Sequence, residues 1–293
     1  MLSASAPPEC FQELLEKLDK VTEYILMDCS FGESVMIDPK SDVYNYIFAY
    51  LLVWLLYLHL VDSFPMGESQ ESRVDLIAYV ADRGLHFRLF DNLFHLMDNL
   101  DEEELSGEGA EDDEKSGCGG SSENIADYLR KLKDLKENQN LRHLMGDRGG
   151  ANSLPKLALT VYYHMLRNLP HLIRSWFGSL KPTHKQLVDG FTIRHCSTVL
   201  IEKELDALQT VDREKFGNIV VRASKKVNEI TAVYSLKEIS FGIKFSFNEN
   251  FPLTTVKVEC FNRSGVSEDR CRKWIQRLTI FFNKLVRSER GEW

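Results

Sequence analysis

The sequence predicts an α+β protein in which stacked helices come first and a smaller unit of helix, four strands and helix comes last. Apolar residues recur every three or four positions up to about residue 180, which is typical of helices. Beyond that point they alternate with polar residues, which is typical of strands with one buried face. The length of 293 residues favours about two domains, and the change of period predicts 1–178 and 179–293.

The first half is predicted to contain a succession of amphipathic helices. One covers residues 10–27, and a second begins where Ser41 or Asp42 can cap it and ends near Ser63. A third run covers 72–100, where Gly84 can break it. Helical spacing resumes over 125–145 and 154–177, and Pro170 is expected to kink or split the last run. This succession is more typical of the end of an α-solenoid than of a closed enzyme fold.

Two stretches of the first half raise separate questions. Nine of the fourteen residues from 101 to 114 are acids, and 101–124 is predicted to be a disordered loop, with an acidic recruitment segment as the alternative. Residues 46–61 are apolar except for His59, but a spanning helix needs about 20 residues. A buried helix is therefore the preferred interpretation, and a membrane anchor stays the alternative.

The second half begins with a helix predicted over 183–205 and continues as strands. Apolar residues alternate with polar ones at 219–223, 230–234, 239–247 and 256–260, and the short connections favour antiparallel meander pairing. A final helix is predicted over about 266–286. At 100° per residue, its apolar residues fall on one arc that should pack on the sheet. The basic residues expected on the opposite side are Arg270, Lys273, Arg277, Lys284 and Arg287.

The charge is divided unequally between the halves. Residues 1–180 carry 16 Lys and Arg against 30 Asp and Glu, whereas residues 181–293 carry 20 against 14. The resulting net charge of +6 in the second half indicates contact with a polyanion, or simply a solvated surface. The six cysteines include no C-x₂-C pair, which argues against a zinc ribbon, finger or RING in this sequence. Without a secretory signal, free thiols and a cytosolic location are expected.

No catalytic constellation is apparent in the sequence. His195 and Cys196 are neighbours on a predicted helix and would point about 100° apart, so Cys196 is predicted to be a small core residue. His59, His164 and His171 lack acid or cysteine partners at metal-ligand spacing. Glycines do not form a phosphate-binding loop, and no metal or cofactor is predicted for this chain.

Four segments resemble the C-terminal part of the listerin family of RING-type E3 ubiquitin ligases, which act in ribosome-associated quality control. They occur in the family's order and with similar spacing: SDVYNYIFAYLLVW at 41–54, YYHMLRNLPHLIRSWF at 162–177, the strand region at 216–259 and RKWIQRLTIFF at 272–282. The resemblance implies the end of a HEAT-type solenoid followed by an RWD-like domain. Phe251 and Pro252 stand at the aromatic–proline turn after the third strand, with Phe where Tyr is usual. Trp176 is followed by Phe177 where the family tends to have two tryptophans.

The resemblance also implies a function and a set of partners. Such ligases dock on the large ribosomal subunit, touching RNA or protein near the exit tunnel, together with other subunits of the ribosome quality control complex, and direct ubiquitination of stalled nascent chains. The family's zinc-binding RING recruits the ubiquitin-charged E2. It does not appear before Trp293, so this chain alone is expected to be inactive, with zinc expected only in the RING. No membrane partner is expected, and a non-enzymatic RWD scaffold remains the alternative.

Six basic residues are predicted to contact the ribosome, three around a strand end and turn and three on the last helix. Phosphate contacts of this kind weaken as salt rises. The alternative is that these side chains only aid solubility. The six are Arg222, Lys225, Lys226, Arg270, Lys273 and Arg277.

Overall fold

The computed structural model describes residues 9–33, 35, 37–63, 70–97, 125–132, 153–210 and 217–284. By spatial proximity the chain divides into two compact units, residues 1–184 and 185–293. The predicted acidic loop at 101–124 and the second part of the helix predicted over 125–145 lie outside the described residues.

The first unit consists of helices. Helix α2 packs against α1 and α6, and α4 packs against α1, α6 and α7. The breaks predicted at Gly84 and Pro170 are confirmed: Gly84 has a φ of 64° between two helices, and Pro170 begins a new helix. The helices are α1 (Glu9–Leu26), α2 (Asp42–Ser63), α3 (Gln70–Asp82), α4 (Leu85–Leu96), α5 (Ile125–Lys131), α6 (Ser153–Asn168) and α7 (Pro170–Ser179).

Helix α2 is the central element of this unit. Ser41 caps it, since the Tyr44 amide donates to the Ser41 hydroxyl at 3.1 Å. Among the described residues it is the one helix long and apolar enough to cross a membrane, yet eleven of its side chains are buried within the unit. Trp54, with no exposed surface, lies edge-on to the ring of Tyr57 at 5.6 Å. This burial favours the interpretation of a core helix.

A charged side chain is buried beside α2. Asp19 of α1 has no exposed surface; it accepts a hydrogen bond from the Tyr50 hydroxyl at 2.9 Å and pairs with Arg88. Burial is the largest influence on the Asp19 carboxyl and raises its pKa, while the bonds to Arg88 and Tyr50 act against that rise. The carboxylate thus joins three helices, α1, α2 and α4.

The second unit, which includes most of α8 (Pro182–Thr192), carries the sheet. The single helix predicted over 183–205 is interrupted by one π-helical turn, Ile193–Ser197, before it continues as α9 (Thr198–Thr210). Four antiparallel strands pair in the order β1-β2-β3-β4, which is the predicted meander. They are followed by α10 (Glu268–Lys284). The strands are β1 (Ile219–Ser224), β2 (Glu229–Leu236), β3 (Ile239–Ser246) and β4 (Lys257–Ser264).

Helix α10 packs on one face of the sheet, as its apolar arc predicted. Trp274 lies edge-on to Phe241 with ring centroids 5.0 Å apart, and Phe282 meets Phe245 at 5.6 Å. Burial on this face is uneven: Phe241 of β3 and Val258 of β4 are buried, whereas β1 is largely exposed. On this face of the sheet, burial is therefore concentrated where α10 covers β3 and β4.

Candidate basic surface of the C-terminal unit

The structure places the six predicted basic residues in two separate groups within the second unit, and all six side chains are exposed. We define the hairpin group as Arg222 on β1 with Lys225 and Lys226 in the turn that follows it. We define the helix group as Arg270, Lys273 and Arg277 on α10.

The hairpin group lies at the β1–β2 connection. Arg222 pairs in register with Thr231, one position from the Val221–Ala232 pair, so its side chain is on the face of the sheet opposite α10. Lys225 Nζ lies 2.6 Å from Asp206 Oδ1 of α9, and both side chains are about half exposed. A surface pair of this kind contributes at most about 1 kcal/mol, so a phosphate could replace Asp206 at little cost.

The helix group occupies one flank of α10. Its three residues are spaced by three and four positions, which aligns them on the helix surface. The expectation that they lie opposite the apolar arc is wrong for Arg270 and Arg277, which are only about 40° and about 60° from Trp274 around the helix. Trp274 is itself 39% exposed and Phe281 41%. The group therefore borders exposed aromatic surface. Within the described part of the chain, no carboxylate forms an ion pair with these three residues.

The two groups are not joined into one patch. Helix α10 covers the sheet on the face of Phe241 and Phe245, while Arg222 points from the other face. A single flat polyanion cannot contact Arg222 and the flank of α10 at once without wrapping around the sheet. Sequence reasoning missed this separation because it fixes which residues share a helix or strand face but not which faces meet.

The aromatic–proline turn occupies the connection between β3 and β4. Pro252 is buried, and the Asn250 amide donates from Nδ2 to Asp189 Oδ1 of α8 at 2.8 Å. Phe251 meets Phe247 edge-on at 5.0 Å between centroids. The turn thereby ties the sheet to the helix that precedes it in the same unit.

Cys196 and His195, which were considered for catalysis, have the surroundings of structural residues. Cys196 has no exposed surface, and burial raises the pKa of its thiol, so it stays protonated; its predicted core role is confirmed. The ring of His195 lies 4.9 Å from that of Phe191. Among the described residues, no three His, Cys, Asp or Glu side chains are grouped so as to hold a metal ion.

Comparison with known proteins decides the family. Residues 4–209, about 70% of the chain, match the family model described as "LTN1 family HEAT repeat region". The chain belongs to the LTN1, or listerin, family. Residues 219–286 match a second model, "Ubiquitin conjugating domain-like", which coincides with the four strands and α10. The predicted fold class, a HEAT-like segment followed by an RWD-like α+β domain, is thus confirmed.

Several listerins share this similarity. The chain is 26% identical to mouse E3 ubiquitin-protein ligase listerin over 279 residues and 28% identical to the chicken protein over 280; each alignment covers 95% of this chain and 14% of the relative. The fruit fly listerin is 30% identical over 128 residues, which are 44% of this chain and 7% of that protein. The chain therefore spans about one seventh of the length of the vertebrate listerins it matches. The predicted division after residue 178 stays a prediction.

Proposed function

We propose that this listerin-family chain acts in the cytosol as part of an E3 ubiquitin ligase of ribosome-associated quality control. Its C-terminal unit docks on the large ribosomal subunit, so that the ligase reaches stalled nascent chains. The ubiquitin-charged E2 would be recruited by the RING of the complete ligase. The observation that carries the proposal is the exposed basic surface of a unit, residues 185–293, that carries 19 Lys and Arg against 14 Asp and Glu, in a chain whose overall charge is −8.

Phosphate contact suits the two groups for different reasons. In the hairpin group, two adjacent lysines project from a turn, where they can approach the sugar–phosphate backbone of an RNA without burying any of the sheet. In the helix group, arginines alternate with a lysine along about two turns of α10. Guanidinium groups bind phosphate through two parallel hydrogen bonds, which adds geometric specificity to the attraction. Because the two groups are separate, they suit a partner with an uneven surface, such as folded ribosomal RNA with its proteins.

Co-sedimentation with purified large ribosomal subunits tests the proposal. The variants are Lys225→Glu/Lys226→Glu for the hairpin group and Arg270→Glu/Arg277→Glu for the helix group. Each should reduce the bound fraction several-fold at physiological salt, because charge reversal replaces attraction with repulsion. The matched control is the double variant Lys237→Glu/Arg272→Glu, which reverses two charges at exposed positions outside both groups, in the β2–β3 turn and on the other flank of α10. Unchanged binding in the variants of both groups, or an equal loss in the control, would refute docking through these residues.

A further inference from the structure

A groove runs between α10 and β4 on the flank opposite the helix group. Its volume is about 650 Å³, and it is lined by Cys260 of β4 and by α10 residues including Cys271, Ile275, Thr279 and Ile280. A smaller cavity of about 330 Å³ continues past Cys260 to Asn262 and Arg263. Both cavities share Glu268 and Cys271. The lining is mainly apolar along α10 and becomes charged at the end nearest Arg263.

The strand that forms one wall of this groove is the last of the sheet. Within the described residues, β4 pairs on one side only, with β3. The backbone hydrogen bonds found there outside helices and strands involve no residue from 257 to 264. An outer strand presents a row of amide and carbonyl groups that can pair with another chain. The wall of the groove therefore offers backbone hydrogen bonds as well as apolar contacts.

The charged end of the groove has an excess of positive charge. Arg263 and Arg272 share one carboxylate, Glu268, at 3.7 Å and 3.3 Å. All three side chains are more than one third exposed. Two guanidinium groups beside one acid leave a net positive charge, which an additional carboxylate would complement.

The dimensions of the groove fit a short extended segment. From Glu268 to Ile280, α10 advances about 18 Å, since the helical rise is 1.5 Å per residue. Five or six residues of an extended chain, at about 3.3 Å each, cover that length. A strand added beside β4 would place alternate side chains on the α10 side, next to Cys260 and Ile275, where small apolar groups fit.

We propose that the groove between β4 and α10 binds an extended peptide of a partner protein by strand addition to β4. Small apolar side chains enter the groove, and an acidic side chain meets Arg263 and Arg272. An outer strand beside a helix is the arrangement that several peptide-binding domains use for strand addition. A second copy of this chain fits less well, because its own β4 would bring the same two arginines to the interface. This site is independent of ribosome docking, since neither basic group lines it.

Anisotropy measurements on the whole chain with labelled octapeptides test the inference. The probes alternate Val and Thr over six residues and carry two Asp residues at one end or the other. One of them should bind in the micromolar range. Two further versions of it carry N-methyl groups on odd or on even amides. Since an added strand pairs through one edge, one version should lose binding at least about tenfold and the other should keep it.

Variants locate the site. Arg272→Glu should weaken peptide binding about fivefold or more, and Thr279→Lys should also weaken it because the longer side chain obstructs the groove. Arg277→Glu, the matched reversal on the opposite flank, should leave the affinity for the peptide unchanged. Equal binding of both methylated peptides, equal loss with Arg277→Glu, or no binding below about 1 mM overturns the proposal. So does sedimentation evidence for a dimer that Thr279→Lys disrupts, because the occupant would then be a second copy.

Discussion

The indole of Trp274 meets the ring of Phe241 edge-on, with centroids 5.0 Å apart, and this contact fixes α10 to the sheet. Phe241 is 8% exposed, whereas Trp274 is 39% exposed. One side of the indole thus packs on the sheet while its other side is open to solvent, and the contact of Phe282 with Phe245 holds the next turns of α10. Since the helix group and the peptide groove lie on opposite flanks of α10, both proposals depend on this attachment.

Trp274→Ala should therefore destabilise the second unit by about 2 kcal/mol, less than for a fully buried tryptophan because much of the indole is solvated in the folded state. Trp274→Phe should recover about half of the loss. Urea denaturation of the whole chain, monitored through hydrogen exchange of the amides in residues 219–284, measures the loss of stability in this unit alone. Ile280→Ala is the control: its side chain is 44% exposed, and the loss should stay below about 0.5 kcal/mol. Equal losses in both variants would contradict the anchoring role of Trp274.

Position 242 requires glycine because of the neighbouring Phe261 ring rather than because of its own backbone conformation. A Cβ added there would lie 2.7 Å from the ring of Phe261 and 3.1 Å from Asn262 Cβ. Gly242→Ala should cost about 1 kcal/mol, because the Phe261 ring must move away. In a Phe261→Ala background the same change should cost clearly less, since only the approach to Asn262 Cβ remains and alanine restricts the unfolded chain more than glycine does. A double-mutant cycle of thermal unfolding measures the coupling, and additive effects would show that the two residues do not interact.

Asp19→Ala should destabilise the first unit by about 3 kcal/mol, because Arg88 and the Tyr50 hydroxyl lose their shared partner. Asp19→Asn should cost less, since the amide oxygen still accepts one hydrogen bond. Arg83→Ala is the comparison: Arg83 pairs with Glu16 at 3.0 Å on the surface, where such a pair contributes under about 1 kcal/mol. Equilibrium unfolding provides the values, and a loss for Asp19→Ala no larger than that for Arg83→Ala would contradict the account.

Two histidines should make the first unit sensitive to mild acid. Burial lowers the pKa of His86 to about 4; burial and then the charge of Arg174 lower the pKa of His171 to about 4 as well. The folded state therefore binds fewer protons than the unfolded state below pH 6.5. Stability is complete above that pH and is lost as the pH falls toward 4, by about 2 kcal/mol per histidine between pH 7.5 and 5.

Unfolding measured across this range checks the expectation, since most carboxylates stay ionised above pH 5. The slope of the unfolding free energy against pH reports the difference in bound protons between the two states, and His171→Gln should reduce that difference by about one proton. A slope unchanged by this substitution would show that His171 does not contribute to the acid sensitivity.

Local patterns predicted most elements of the fold. Period-two alternation located β3, and Gly84 and Pro170 located two helix breaks, because these signals act within a few residues. The pairing of Asp19 with Arg88, 69 residues apart, carries no such signal. Likewise, nothing in the sequence around Cys196 indicates the π-helical turn at Ile193–Ser197.

The sequence predicted which basic residues are exposed, but not how they are arranged in space. Each of the six basic residues is exposed, as a docking role requires. Their division between two faces depends on which face of the sheet α10 covers, and that choice is made by Phe241 and Phe245 together with Trp274 and Phe282. The groove beside β4 also went unpredicted, because it arises from the packing of an outer strand against a helix.

The most direct test of ribosome docking is the salt dependence of binding to the large ribosomal subunit. The logarithm of the association constant is plotted against the logarithm of salt concentration for the whole chain, for Lys225→Ala/Lys226→Ala and for Arg270→Ala/Arg277→Ala. Each phosphate contact removed should lower the steepness by about one, so each double variant should be less steep by about two. Slopes identical to that of the unmodified chain in both variants would contradict the assignment of these residues to the ribosome.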